Sequence, residues 1–390
     1  MIKKTISLII IVLLLFSSCK EEKSFEHTTY NTNVHEIKIS NSKLLKASFA
    51  DYMKDFDYLE LKTNTDNYVS EISKVQQFKD NFYVLDSKKS NLYVFDKNGN
   101  FIRKIGQRGD GPGEYKDISD YVINTEKETI SILSNLNIKI FEYDLQGKFI
   151  KDIAFSDFFP KHMNLLNNNY YALYTDNSSD SFKDLAYVNL SGEIVKEDFA
   201  YPEDIFDMGF AFTGGISKIG NRFLYAQSSS PKIYEIDNNL KHKAVYNIDL
   251  GTKAWKEEDK FEIDRFNREL GKLEISFLNN NFFINNELLY FNYTDGAKLK
   301  RGFYNITNSN IYSTDSFTSD GLNLIFYNYV GIDSKNKNIV AYTPEYYKEN
   351  SNHFKGLDEA LKKLNNELFQ KFKNADENSN QYLLFFNLSF

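Results

Sequence analysis

The chain has 390 residues, with 47 basic against 54 acidic side chains and a formal net charge of −7. That balance lacks the basic footprint of a nucleic-acid binder, so no nucleic-acid partner is expected. The 27 Tyr and 34 Phe residues suit pleated sheets, and the single Cys excludes a disulfide framework.

Lys3 and Lys4 precede an apolar run from Ile6 to Phe16. The run has the length of a signal-peptide core and is too short to span a bilayer comfortably. Ser17 and Ser18 then lead into Cys19. Small residues before a cysteine resemble a bacterial lipobox, although Phe16 stands where Leu is usual. The pattern predicts a signal peptide over 1–18 and a lipid on Cys19. Several acyl chains would anchor the protein firmly. Lys20-Glu21-Glu22 resembles the export signal of surface lipoproteins in the Bacteroidetes. The expected location is therefore the outer membrane, at the cell surface, with membrane contact through the lipid alone.

Residues 19–56 read as a lipidated tether and lead-in. Leu45, Phe49, Tyr52 and Phe56 recur at helical spacing, which predicts a short helix there. From about residue 57 a phrase recurs: Phe95-Asp96-Lys97-Asn98-Gly99, Tyr143-Asp144-Leu145-Gln146-Gly147, Val188-Asn189-Leu190-Ser191-Gly192 and Ile236-Asp237-Asn238-Asn239-Leu240. Its steps are 48, 45 and 48 residues. Each phrase ends one alternating apolar run and starts another, with a turn such as Asn98-Gly99 between them. A period of that size built from short strands is the mark of a propeller blade.

Counting blades gives six over residues 57–390, so the chain is expected to be all-β. The last blade lacks a fourth strand after Tyr382 to Leu388, and Tyr58-Leu59-Glu60-Leu61 lacks a blade of its own. Together they would complete one four-stranded antiparallel sheet and remove exposed edges. Two insertions carry apolar stripes at helical spacing: Ile263, Phe266, Leu270 and Leu273, then Leu357, Leu361, Leu364, Leu368 and Phe372. Helices that cover exposed apolar surface explain both stripes more simply than a lid does.

The segment Phe101-Ile102-Arg103-Lys104-Ile105-Gly106, followed by Gly109-Asp110-Gly111-Pro112-Gly113-Glu114-Tyr115, resembles the hallmark of the Bacteroidetes six-bladed β-propeller lipoprotein family, akin to NHL-repeat propellers. The resemblance is strongest over residues 57–155. It implies a six-bladed fold and an envelope location, and it implies no common activity. The proline often found at the start of the closing strand is absent from Ser379-Asn380-Gln381.

In an antiparallel blade the link to the next blade and the loop between strands two and three leave on the same side. The segments 106–115, 156–160, 201–214, 251–275 and 346–381 all fall there. Loops on a rigid scaffold are where binding residues concentrate, so Arg108, Asp110, Glu114, Tyr201, Asp207 and Trp255 are the candidate ligand contacts. The glycine-rich 106–113 loop lacks Gly-Lys-Ser/Thr and opens no helix, which argues against phosphate binding. His27, His35, His162, His242 and His353 show no metal-ligand spacing, and there is no Gly-x-Ser-x-Gly elbow. No catalytic residue, metal or cofactor is expected. The expected function is a non-catalytic binding or scaffold propeller for a glycan, peptide or partner protein. The alternative is a carbohydrate-active hydrolase or lyase using acidic residues at the mouth of the propeller axis.

Overall fold

The computed structural model describes residues 34–390, apart from 47, 64–66, 157, 176–182, 201–214, 221, 228–229, 260–261, 315–320, 323–327 and 377–378. The recurring phrase has a physical cause in the turn that closes each outer hairpin. Asp96 Oδ1 accepts from the amides of Asn98 and Asn100, both at 2.8 Å. Asp144 does the same for Gln146 and Lys148, Asn189 for Ser191 and Glu193, and Asp237 for Asn239 and Lys241. A short acceptor side chain therefore organises each turn by satisfying its own backbone donors. Gly99 sits there at φ +75°, and an added Cβ would lie 1.9 Å from the carbonyl oxygen of Glu60. Glycine is needed at this position both for the left-handed backbone and for the close approach.

Six sheets result, each with four antiparallel blade strands from the centre outward, and two of them carry a fifth strand on the outer edge. Blade one comprises Ile72–Phe78, Asn81–Asp86, Asn91–Asp96 and Phe101–Lys104. The inner strands of blades two to six are Asp120–Asn124, His162–Leu166, Gly215–Ile219, Ser276–Ile284 and Tyr329–Ile332. The core lies between neighbouring blades. Val84, Tyr93 and Phe95 of blade one pack on Ile339, Leu383 and Phe385 of blade six, for example, and equivalent clusters fill the other junctions. Tyrosine hydroxyls add hydrogen bonds across the same junctions. Tyr121 donates to Tyr83 O at 2.6 Å and Tyr225 to Asp184 Oδ2 at 2.8 Å.

The ring closes as the sequence predicts. Strand β3, preceded in the chain by two short strands described below, spans Met53–Glu60 and pairs antiparallel with Tyr382–Leu388. Glu60 lies opposite Tyr382 and Tyr58 opposite Leu384. It is longer than the predicted Tyr58–Leu61 strand, and the helix expected around Leu45 to Phe56 does not form. A 3₁₀ turn at Phe49–Asp51 leads straight into β3, and Asp55 enters the left-handed region at φ +52° where the pairing slips by one residue. A turn followed by a bulge spaces the apolar residues three and four apart, which mimics a helix.

The lead-in is not a plain tether either. Strand β1, His35–Lys38, runs parallel to the outer strand of blade four. Strand β2, Lys43–Leu44, runs parallel to that of blade five. Ile37, Phe49 and Met53 are buried. The N-terminal strap thus crosses blades four and five before closing the sixth.

Both insertions are helical. Helix α1, Ile263–Gly271, packs Phe266 on Trp255 and Ile275. Leu273 lies past its end at φ +58° and is 51% exposed. The second insertion forms three helices: α2 over Pro344–Ser351, α3 over Leu357–Leu364 and α4 over Asn366–Asn374. The single predicted stripe is therefore split. Asn365 adopts an extended conformation and caps α4 through a hydrogen bond from Leu368 N at 2.9 Å. Leu357, Leu361, Leu368 and Phe372 pack against Phe49, Tyr342 and Tyr382, so these helices cover blades five and six and the strap.

Candidate functional site

The inner strands of all six blades line an axial channel with a cavity of about 470 Å³. Three of its residues form a polar cluster across blades one, two and three. Asp120 opens its strand and Lys74 reaches it from blade one, with Nζ to Oδ1 at 2.8 Å. The ammonium also donates to Tyr121 O at 2.8 Å and lies 5.4 Å from the Tyr121 ring centroid. Asp120 accepts further hydrogen bonds from Tyr121 N at 2.7 Å and Met163 N at 2.8 Å. His162, which opens the strand of blade three, places Nδ1 3.7 Å from Asp120 Oδ2 and stacks on Tyr174. Burial alone would raise the Asp120 carboxyl. Lys74, with help from His162, outweighs burial and holds the pKa down at about 2. Asp120 is thus ionised at neutral pH and ties three blades together.

The deeper channel differs. Lys218 donates to Leu165 O at 2.7 Å. Burial lowers its pKa, opposed by the charge of Glu126. Phe283 and Tyr329 face each other with ring centroids 3.8 Å apart, and Gln76, Asn164 and Ser217 add polar lining.

On the side of the links between blades, loops between second and third strands touch the adjoining link. Leu136 N and Ser134 Oγ of one loop bond Asp117 on the link into blade two. Ser230 bonds Glu257, and Asn380 accepts from Thr63 N at 3.0 Å. The sequence-derived candidates occupy different places on this side, and none of the described ones lines the channel. Asp110 is exposed and pairs with Lys116 at 3.3 Å. Glu114 accepts from Gly111 N at 2.8 Å and from Gln107, and these bonds lower its carboxyl pKa. Arg108 is exposed on the same loop. That loop leans on the outer hairpin of blade two, where Gly113 O accepts from Tyr143 Oη at 2.8 Å. Trp255 is 3% exposed, packs edge-on against Phe266 at 5.2 Å, and lies under the Arg265 guanidinium. Phe158 is buried between blades two and three, whereas Phe159 is exposed. Tyr201 and Asp207 lie outside the described residues.

Sequence reading did not pick out the channel cluster. Its signal is a polar residue near the head of consecutive inner strands: Lys74, Asp120 and His162 are 46 and 42 residues apart, close to the blade period.

The geometry defines a six-bladed propeller with a polar cluster and an axial channel. The chain belongs to the family "Domain of unknown function (DUF4934)", whose model matches residues 30–387. No curated protein matches it. A Bacteroides fragilis protein described as exported has a crystal structure similar to this chain, with a TM-score of 0.70 and 17% identity. That match covers 92% of this chain and all of the other, and it shows the fold. A Bacteroides vulgatus protein of the DUF4221 family has a TM-score of 0.49 at 11% identity, covering 86% and 97% of the two chains. A virginiamycin B lyase from Staphylococcus aureus has a TM-score of 0.39 at 13% identity, covering 66% and 73%.

Proposed function

We propose that this protein is an outer-membrane lipoprotein, held through acylated Cys19, whose propeller is a non-catalytic binding module related to NHL-repeat propellers. Its ligand, a glycan, peptide or segment of a partner protein, enters the axial channel from the side that carries the long loops. The observation behind this reading is the channel, where aromatic faces and polar side chains from six blades converge on one cavity. Convergence of that kind is what small-ligand sites have in common. The lipobox-like start and the exported B. fragilis relative support the envelope location. The exposed Arg108, on the link between blades one and two, extends the recognition surface. Acid–base cleavage of a sugar needs a carboxyl group able to hold a proton near neutral pH. Asp120, kept ionised by Lys74, does not supply one.

The test is a broad glycan and peptide binding screen on the full chain in non-ionic detergent. It is repeated with Ser217→Trp, which fills the channel, and with Arg108→Ala on the outer loop. A hit should lose affinity with Ser217→Trp, keep most of it with Arg108→Ala, and be recovered chemically unchanged. Binding that survives Ser217→Trp overturns the channel placement. A converted product overturns the non-catalytic reading.

A further inference from the structure

Two lysines line the axial channel, and they are in different states. Lys74 donates to the Asp120 carboxylate and to Tyr121 O, and that carboxylate neutralises its charge. Lys218, on the inner strand of blade four, meets one acceptor among the described residues, Leu165 O at 2.7 Å. The Glu126 carboxylate attracts it from a distance but accepts its own hydrogen bond from Asn168. An ammonium has three donors, so two N–H groups and an unneutralised charge remain available to the cavity. Lys218 is solvent-exposed, so water meets those donors, and the protein around it only lowers its pKa. An anion brought to Lys218 would replace that water with a charge-assisted hydrogen bond. The same cavity is walled by the Phe283–Tyr329 aromatic pair, while Asn164 and Gln76 offer amide groups.

We infer that the channel binds a ring-bearing carboxylate, with the carboxylate on Lys218 and the ring against Phe283 and Tyr329. This rests on the channel being the ligand site, and it adds the chemical class. Charge-assisted hydrogen bonds to a carboxylate are about twice as strong as neutral ones. The neutral counterpart of such a ligand leaves the Lys218 charge uncompensated. A preference of at least about ten-fold for the acid over its neutral analogue therefore follows.

Two matched pairs supply the probes: D-glucuronate with D-glucose, and benzoate with benzyl alcohol. Affinities are measured by saturation-transfer NMR on the full chain in non-ionic detergent. The expected result is that at least one acid binds about ten-fold or more tightly than its neutral partner. Lys218→Met should abolish that preference and Lys218→Arg should keep part of it, both variants melting like the parent. Whichever pair shows the effect identifies the ring as a sugar or an aromatic. The inference is overturned if neither acid is preferred, if no probe binds, or if the preference survives Lys218→Met. If both members of a pair bind equally and Ser217→Trp abolishes both, the channel site stands and the carboxylate assignment alone falls. If an acid preference persists in Ser217→Trp, both fall.

Discussion

Replacing Asp120 with Asn should destabilise the propeller by about 2–4 kcal/mol at pH 7. The carboxylate is 4% exposed, bonds Lys74, and accepts from Tyr121 N and Met163 N. The fall of its pKa from 3.8 to about 2 corresponds to about 2–3 kcal/mol, at about 1.4 kcal/mol per unit. The neutral amide of Asp120→Asn would also strand the partly buried Lys74 ammonium, and removing one member of a buried pair costs up to about 3–5 kcal/mol. Lys74 is 26% exposed, so water offsets some of that penalty. Unfolding entropy near 2 cal/mol/K per residue makes about 3 kcal/mol worth roughly 4 °C in Tm for a propeller of this length. The pH dependence gives a sharper test. Because the folded-state pKa is depressed, the stabilisation is present above the unfolded-state value and is lost as pH falls from about 5 toward 2. Calorimetry at steps of pH should show the wild type losing that increment and Asp120→Asn lacking it. Equal melting temperatures at pH 7, or parallel acid slopes for the two proteins, would refute the argument.

Deleting residues 382–390 should unfold the domain. It removes the partner of β3 together with Leu383, Leu384, Phe385 and Phe386, all buried. At roughly 1.5–3 kcal/mol per side chain, the loss rivals the whole stability of a typical domain. A cooperative melt near the parental temperature would contradict this. Cys19→Ala should leave the protein unprocessed or release it from membranes. Recovery of a mature, detergent-requiring membrane form of the variant would rule out the lipid anchor.

The blade count and the ring closure were legible because each rests on local chemistry repeated at a fixed interval. An Asp or Asn that accepts two amides of its own turn must recur wherever an outer hairpin recurs, so Asp96, Asp144, Asn189 and Asp237 mark the blades in the sequence. The strap was not legible. Strands β1 and β2 are four and two residues long and pair parallel to strands about 210 and 270 positions away. Segments so short carry little periodicity of their own. Phe49 and Phe56 looked helical only because a 3₁₀ turn and the bulge at Asp55 interrupt the alternation of a strand. The stripe from Leu357 to Phe372 does mark helix, but the break at Asn365 leaves no trace in it. A capping residue that starts the next helix can leave the apolar phase unchanged.

The candidate site was less legible than the fold, for a different reason. Loop residues attract notice by being unusual, and Glu114 and Trp255 are unusual because they hold their own loops together. Glu114 ties down Gly111 and Gln107, and Trp255 anchors α1. Channel residues attract little notice because each sits alone within an apolar strand. The meaning of Asp120 depends on Lys74 and His162, which come from neighbouring blades and meet only once the ring is formed. Lys218 differs from Lys74 in one respect that bears on the proposed ligand: no blade brings a described carboxylate into contact with it. In a symmetric scaffold the repeats make neighbouring positions comparable, so an unmatched charge at one inner strand stands out against its paired counterpart at another. That comparison is what places the proposed ligand contact at the axis, beside the rim-loop candidates expected from the sequence.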